Sequence, residues 1–111
     1  MKKINIVKKN EDFKRVITKG KYKKGELFNI YIEDSGENIY HFGISVSKKV
    51  GNSVVRSRSK RLIYEAYRLN YHELKPGYDY VFVARSAIKD KKYSDVEGAM
   101  KNLFKKAGIY L

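Results

Sequence analysis

Twenty-five lysines and arginines stand against twelve aspartates and glutamates in a chain of 111 residues, a formal charge of +13. Like charges at that density oppose collapse, so the chain can fold only by sending its cations to the surface and gathering enough apolar groups beneath them. The apolar groups are there: 42% of residues are hydrophobic and 14% aromatic, which separates this chain from disordered basic tails. A chain of this length holds one modest core, so residues 1–111 are read as a single domain. With no cysteine, a disulfide framework, a thiolate zinc site and a cysteine nucleophile are all excluded, and stability must come from packing. The N-terminal Met1–Lys9 stretch is basic without the apolar run of a signal peptide, and no run of about 18 apolar residues occurs, so a soluble, cytoplasmic protein is expected. Relief of the excess charge calls for a polyanion, with nucleic acid ahead of an anionic membrane, and no membrane partner is expected.

Hydrophobic periodicity divides the chain into alternating elements. Asn10, Glu11 and Asp12 read as a helix start, Phe13, Val16 and Ile17 follow at helical spacing, and Gly20 closes the segment. Leu27–Glu33 alternates as a strand, Asp34-Ser35-Gly36 turns the chain, and Asn38–Val46 alternates again, so the two strands read as a hairpin or part of a meander. A helix follows from the Gly51-Asn52-Ser53 turn to Leu69, with Val55, Leu62, Ala66 and Leu69 on its packing side. Tyr78–Ala84 is a buried strand after Pro76-Gly77, and Ser94-Asp95-Val96-Glu97 reads as the capping box of a last helix carrying Val96, Met100, Leu103 and Phe104. The expected order is α, β, β, α, β, α, with room for a further short strand among residues 20 to 47.

Motifs for catalysis are missing. No phosphate-binding glycine loop, nucleophile elbow or paired-histidine metal spacing occurs, and the two histidines, His41 and His72, lie far apart. The acids Glu11, Asp12, Asp95 and Glu97 are accounted for by helix starts. The informative stretch is Lys48–Arg68, with seven bases and one acid, Glu65. On a helix, Arg56, Ser57, Lys60, Arg61, Tyr64 and Arg68 fall on the arc opposite the packing side. A solvated helix face usually interleaves glutamate for i,i+4 pairing, and a face without it suits phosphate oxygens, which the arginine fork grips bidentately. The first 24 residues add ten more cations against two acids. Phe13 and Tyr31 admit two readings: a shallow stacking platform for unpaired bases, or, favoured for Phe13 on this pattern alone, the core packing that a helix on a sheet needs. The ten tyrosines exceed what one core needs: Tyr22, Tyr31, Tyr64, Tyr67, Tyr71 and Tyr110 cannot all be interior.

Lys48-Lys49-Val50-Gly51-Asn52-Ser53-Val54-Val55-Arg56, running into Arg58, Lys60 and Arg61, resembles the arginine-rich signature of the bacterial ribonuclease P protein subunit. Lys8–Phe13, Gly43–Lys49, Tyr80–Arg85 and Leu103–Lys106 match that family in order and spacing, so the resemblance covers nearly the whole chain. The family implies an α+β or α/β sandwich with a roughly four-stranded sheet, three helices and a left-handed βαβ crossover like that of ribosomal protein S5 domain 2, against the usual right-handed rule. It implies that a catalytic RNA subunit, using bound Mg2+, removes the 5′ leader of precursor tRNA, and that the protein binds no cofactor of its own. By that resemblance Lys48, Lys49, Arg56, Ser57, Arg58, Lys60, Arg61 and Arg68 meet the RNA subunit, while Phe13, Ile17, Tyr31 and Tyr110 line a cleft for the leader. Ser57 stands where the family usually has asparagine, Ser59 at an apolar position and Tyr64 at a basic one. The rival expectations are a free-standing RNA-binding protein of ribosomal or chaperone type and a small autonomous nuclease. DNA specificity is not expected, because no dimerising heptad or recognition-helix arrangement is present.

Overall fold

The structure, a computed structural model, describes residues 4–6, 10–34 and 40–111, with side chains described for residues 14–34 and 42–111. In chain order the elements are β1 (Ile4–Ile6), α1 (Asn10–Lys19), β2 (Lys21–Lys23), β3 (Phe28–Asp34), β4 (Tyr40–Ser45), α2 (Ser53–Asn70), β5 (Tyr78–Ala84) and α3 (Tyr93–Ala107). The five strands form one sheet in the order β1-β4-β5-β3-β2. β4 runs parallel to both β1 and β5, while β3 is antiparallel to both β5 and β2. The expected four-stranded sheet with three helices is therefore present as β2 to β5, and β1 extends it at the β4 edge.

The hairpin expected from residues 27–46 is not formed. β5 lies between β3 and β4, pairing Ile30 with Phe82 on one side and Ile44 with Phe82 on the other. The reason is visible in β5 itself: Asp79, Tyr80, Val81 and Phe82 are all buried, and such a strand needs neighbours on both edges and cover on both faces. α2 is the crossover between the adjacent parallel strands β4 and β5.

Strand register sorts the residues into two layers. Ile32, Tyr80 and Phe42 form one row, and Ile30, Phe82 and Ile44 the next, on the face that α2 and α3 cover. Tyr67 of α2 reaches deepest into this core, with its ring stacked on Phe42 at 4.3 Å and set edge-on to Phe82 at 5.6 Å. Phe104 of α3 meets Phe82 at 6.2 Å. Offset and edge-on geometries of this kind add to the hydrophobic gain of burying each ring.

The packing side of α2 is rotated from the one expected. Ser59, Ile63, Ala66, Tyr67 and Asn70 are buried, while Leu69 is 46% exposed and Val55 and Leu62 lie at the margin. Tyr67 sets the rotation, because a large ring next to the sheet outweighs one more leucine. Ser59 tolerates burial because its hydroxyl donates to the Val55 carbonyl at 2.8 Å one turn back.

α3 starts two residues earlier than its Ser94 signal suggests, and Asp95 accepts the Lys92 backbone N–H at 3.0 Å. Glu97 is not a helix-start acid but a strut between helices: it accepts from Asn70 Nδ2 at 3.0 Å and from the Tyr93 hydroxyl at 2.8 Å. The Asn70 amide and then the Tyr93 phenol hold Glu97 below the ordinary carboxylate range. Burial, and then Glu97, push Tyr93 up to about 12, so it stays a neutral donor. A carboxylate held low stabilises the fold above its unfolded value and loses that contribution as pH falls through the folded one. Tyr93→Phe is therefore expected to lower stability by about 1 kcal/mol at pH 7, and by less below pH ~4, in paired denaturant titrations.

Candidate nucleic-acid interface

α2 begins at a turn that only glycine fits. A Cβ on Gly51 would lie 2.9 Å from both Cβ and Cγ1 of Val55, at a φ of 158°. Asn52 then caps the helix, its Oδ1 accepting from the Val55 N–H at 3.0 Å, and no acid occupies the first turn. The positive end of the helix dipole is thus left without a protein counter-charge, among cations.

Lys48, Lys49, Lys60 and Arg61 are exposed, Arg56 is half-buried, and none of the five makes an ion pair among the described residues. The Arg56 Nε is buried without a hydrogen-bond partner there. Ser53, Val54, Ser57, Arg58 and Arg61 line one shallow hollow over the first turns of the helix. Arg58 is fixed across it, donating from Nη2 to the Lys91 carbonyl at 2.7 Å, a bond that orients the guanidinium without neutralising it. Of the eight residues expected on this surface, Ser57, Arg58 and Arg61 share this hollow, while Lys48, Lys49, Arg56 and Lys60 lie on or just before the first turns of α2 without ion pairs among the described residues.

Two residues differ from the sequence reading. Arg68 is held by Glu65 through Nε at 3.2 Å and through a second, shorter bond from Nη2, so its charge is already answered within α2. Each partner shifts the other in the direction of a stable pair, Glu65 lowered and Arg68 raised. Tyr64 is half-buried, edge-on to Phe42 at 5.6 Å, and so belongs to the margin of the core instead of the charged arc.

The opposite face of the sheet carries α1. Arg15 bonds Glu33 through Nε and Asp79 through Nη2, both at 2.6 Å, and Val16 is fully buried beside them. The Glu33 carboxylate, ahead of Asp79, raises the Arg15 pKa against the cost of burial. Glu33, Asp79 and His41 form one cross-strand row, so α1 is pinned at that end of the sheet. The next row is Tyr22, Tyr31, Val81 and Gly43, buried at Val81 and Gly43 and opening toward the β2 edge at the tyrosines. Tyr22 is 47% exposed and its ring meets the half-buried Tyr31 at 5.1 Å, tilted by 50°. Ile17 of α1 is 40% exposed. Phe13 lies one turn before Ile17 on α1, and its side chain is outside the described residues. Tyr110 is not brought to this face. It packs edge-on against Phe104 at 5.9 Å and pairs with Leu74 in the α2 and α3 layer, where burial raises its hydroxyl pKa.

The matches to known proteins follow the same outline. The Ribonuclease P family model matches residues 1–108. The chain belongs to the ribonuclease P protein family. It is 52% identical over 112 residues to the ribonuclease P protein component of Clostridium novyi, covering 99% of each chain. It is 51% identical to that of Clostridium acetobutylicum, covering 98% of this chain and 93% of the relative. The Staphylococcus aureus ribonuclease P protein superposes with a TM-score of 0.87 at 30% identity, over 98% of this chain and 100% of that one. The Thermotoga maritima protein shares the fold at a TM-score of 0.83, 24% identity and coverage of 92% and 96%. The chain is thus the protein component of ribonuclease P, an endoribonuclease, and the tyrosine face and the basic helix lie on opposite sides of the sheet in this family fold.

The Arg15 clamp and the Tyr22 ring were not singled out as site residues from the sequence. Asp79 was the available signal for the first, an acid inside an otherwise apolar strand that must find a cation. Among the described residues no three His, Asp or Glu side chains converge as a metal cage, and the Glu33 and Asp79 carboxylates are spanned by Arg15. Arg15→Ala is expected to cost about 1–2 kcal/mol, read by urea denaturation, because it leaves a buried carboxylate short of a partner.

Proposed function

We propose that this chain serves its ribonuclease P as an electrostatic and positional aid: the α2 surface holds the catalytic RNA subunit, and the α1 and β3 face takes the 5′ leader of precursor tRNA. The observation that carries the first half is the set of five cations, Lys48, Lys49, Arg56, Lys60 and Arg61, without ion pairs among the described residues beside a helix whose first turn has no acid. Protein folding gains nothing from such an arrangement, whereas a phosphate backbone releases condensed counterions as it binds there. Arg58 and Ser57 add a pre-oriented fork and a hydroxyl in the same hollow. Arg68, paired with Glu65, is the weakest contributor.

The second half rests on Tyr31 and Tyr22. Aromatic faces at a half-covered cleft stack unpaired bases with little regard for sequence, which suits leaders of varying composition. Phe13 and Ile17 on α1 would form the other wall, and Tyr110 is left out of this reading because of where it packs. In this division the RNA subunit carries out the cleavage with its own magnesium, in the cytoplasm, and the protein screens repulsion between two RNAs and fixes where the leader lies. A free-standing RNA binder would bind unrelated RNAs equally well.

Two outcomes are expected. Replacing Arg56 and Lys60 together by alanine lowers affinity for the RNA subunit and flattens the salt slope by about 1 for each, so that between 50 and 200 mM salt the variant's affinity falls about threefold less per lost contact. An unchanged slope in filter-binding titrations would remove α2 as the RNA surface. Tyr31→Ala lowers holoenzyme affinity for leader-bearing precursor about tenfold, from a stacking loss of ~1–3 kcal/mol, and leaves mature tRNA unaffected. Equal losses for the two substrates would make Tyr31 structural.

A further inference from the structure

A second cation cluster lies away from both faces. Between the β2–β3 connection and α3 runs an open groove lined by Lys24, Gly25, Arg85, Asn102, Leu103 and Lys106, with Glu26 as its single acid. Its shape depends on Gly25. A Cβ there would stand 2.3 Å from the Phe28 carbonyl oxygen and 3.1 Å from Leu103 Cδ2, so a larger residue could not let the connection lie against α3.

Two cations from different elements are moored in this groove on consecutive backbone carbonyls. Arg85, just past β5, donates from Nη1 to the Gly25 oxygen at 2.6 Å, and Lys106 of α3 donates from Nζ to the Lys24 oxygen at 3.1 Å. Both residues line the same groove, so the two charged heads share it. Carbonyls orient cations without cancelling them. Among the described residues Lys24, Arg85 and Lys106 have no ion pair, Glu26 included. Like charges held together in this way are relieved by an external anion reaching donors already aimed.

The groove also joins the edge of the α2 surface. Ser86, next to Arg85, donates to the Lys49 carbonyl at 3.3 Å, and Arg58 reaches the Lys91 carbonyl ahead of α3. These backbone contacts tie the Arg85 end of the groove to Lys49 and the segment ahead of α3 to the start of α2.

We infer that the groove between the β2–β3 connection and α3 is a phosphodiester-binding site that continues the α2 surface, occupied by the backbone of the same catalytic RNA. This rests on the assignment of α2 to that RNA. Lys106 and Arg85 grip phosphate oxygens, Lys24 screens them, and Asn102 supplies a neutral polar group at the rim.

The test compares single charge reversals by affinity and salt slope for the RNA subunit. Lys24→Glu is the primary variant, since its side chain makes no hydrogen bond or ion pair among the described residues; Lys106→Glu is the second, and Lys106→Arg the rescue. Lys75→Glu is the control of equal charge change, placed where Lys75 reaches the Gly108 carbonyl. Lys24→Glu and Lys106→Glu are expected to weaken binding about threefold to tenfold, with a smaller slope. Lys106→Arg should retain binding, and Lys75→Glu should change it by less than twofold. Loss equal to that of Lys75→Glu would reduce the effect to net charge and overturn the site. So would unchanged affinity for the RNA subunit with weakened binding of leader-bearing precursor. Arg56→Ala with Lys60→Ala, run in the same assay, separates the two readings. If that pair loses affinity and the groove variants do not, the groove alone fails; if neither does, the α2 assignment fails and takes the groove with it.

Discussion

Burial of β5 on both faces is the constraint from which the rest of the structure follows. A central strand that places Tyr80, Phe82 and Ala84 on one side and Asp79 and Val81 on the other cannot be satisfied by a single layer of cover. On one side α2 and α3 supply aromatic rings, with Tyr67 meeting both Phe42 and Phe82. On the other side, among the described residues, α1 is the covering helix, ten residues long and held by Arg15 to two acids at one end of the sheet. At the β2 edge of that face Tyr22 is exposed and Tyr31 half-buried, and this edge is the candidate cleft. The cations go outward, because neither layer has room for an unpaired charge.

Charge and geometry then divide the work. Five acids among the described residues are engaged in structure: Glu33 and Asp79 with Arg15, Glu65 with Arg68, Glu97 with Asn70 and Tyr93, and Asp95 with the Lys92 backbone. What remains at the start of α2 is positive charge without an ion pair among the described residues. Positive charge arranged this way suits a polyanion, whose condensed counterions are released on binding. Family membership and the physical argument meet at this point, one naming ribonuclease P and the other explaining why its protein component carries so much uncompensated charge.

Local patterns in the sequence were readable where local physics decides. Tyr78–Ala84, the Gly51-Asn52 start of α2 and the cation run from Lys48 to Arg61 follow from alternation, capping and composition, and the structure has them at those positions. What local pattern cannot show is which strands become neighbours, so β3 and β4 read as a hairpin although β5 separates them. The rotation of α2 escaped for a related reason: heptad-like spacing weighs Leu69 equally with Tyr67, and only the sheet beneath shows that the ring wins. Tyr110 illustrates the limit for sites. Its place on a leader cleft came from resemblance alone, and the packing against Phe104 sets it in the other layer. Arg68 looked like one more free cation until Glu65, one turn away, was seen to hold it.

The central claim is that this chain works through RNA it does not itself cut. The most direct measurement is 5′-leader cleavage of a precursor tRNA by the catalytic RNA of the same organism at low magnesium, with and without the protein, alongside the protein alone. The account predicts strong stimulation by the protein and no cleavage in the absence of the RNA. Cleavage by the protein alone, or an RNA whose activity is indifferent to the protein, would contradict it.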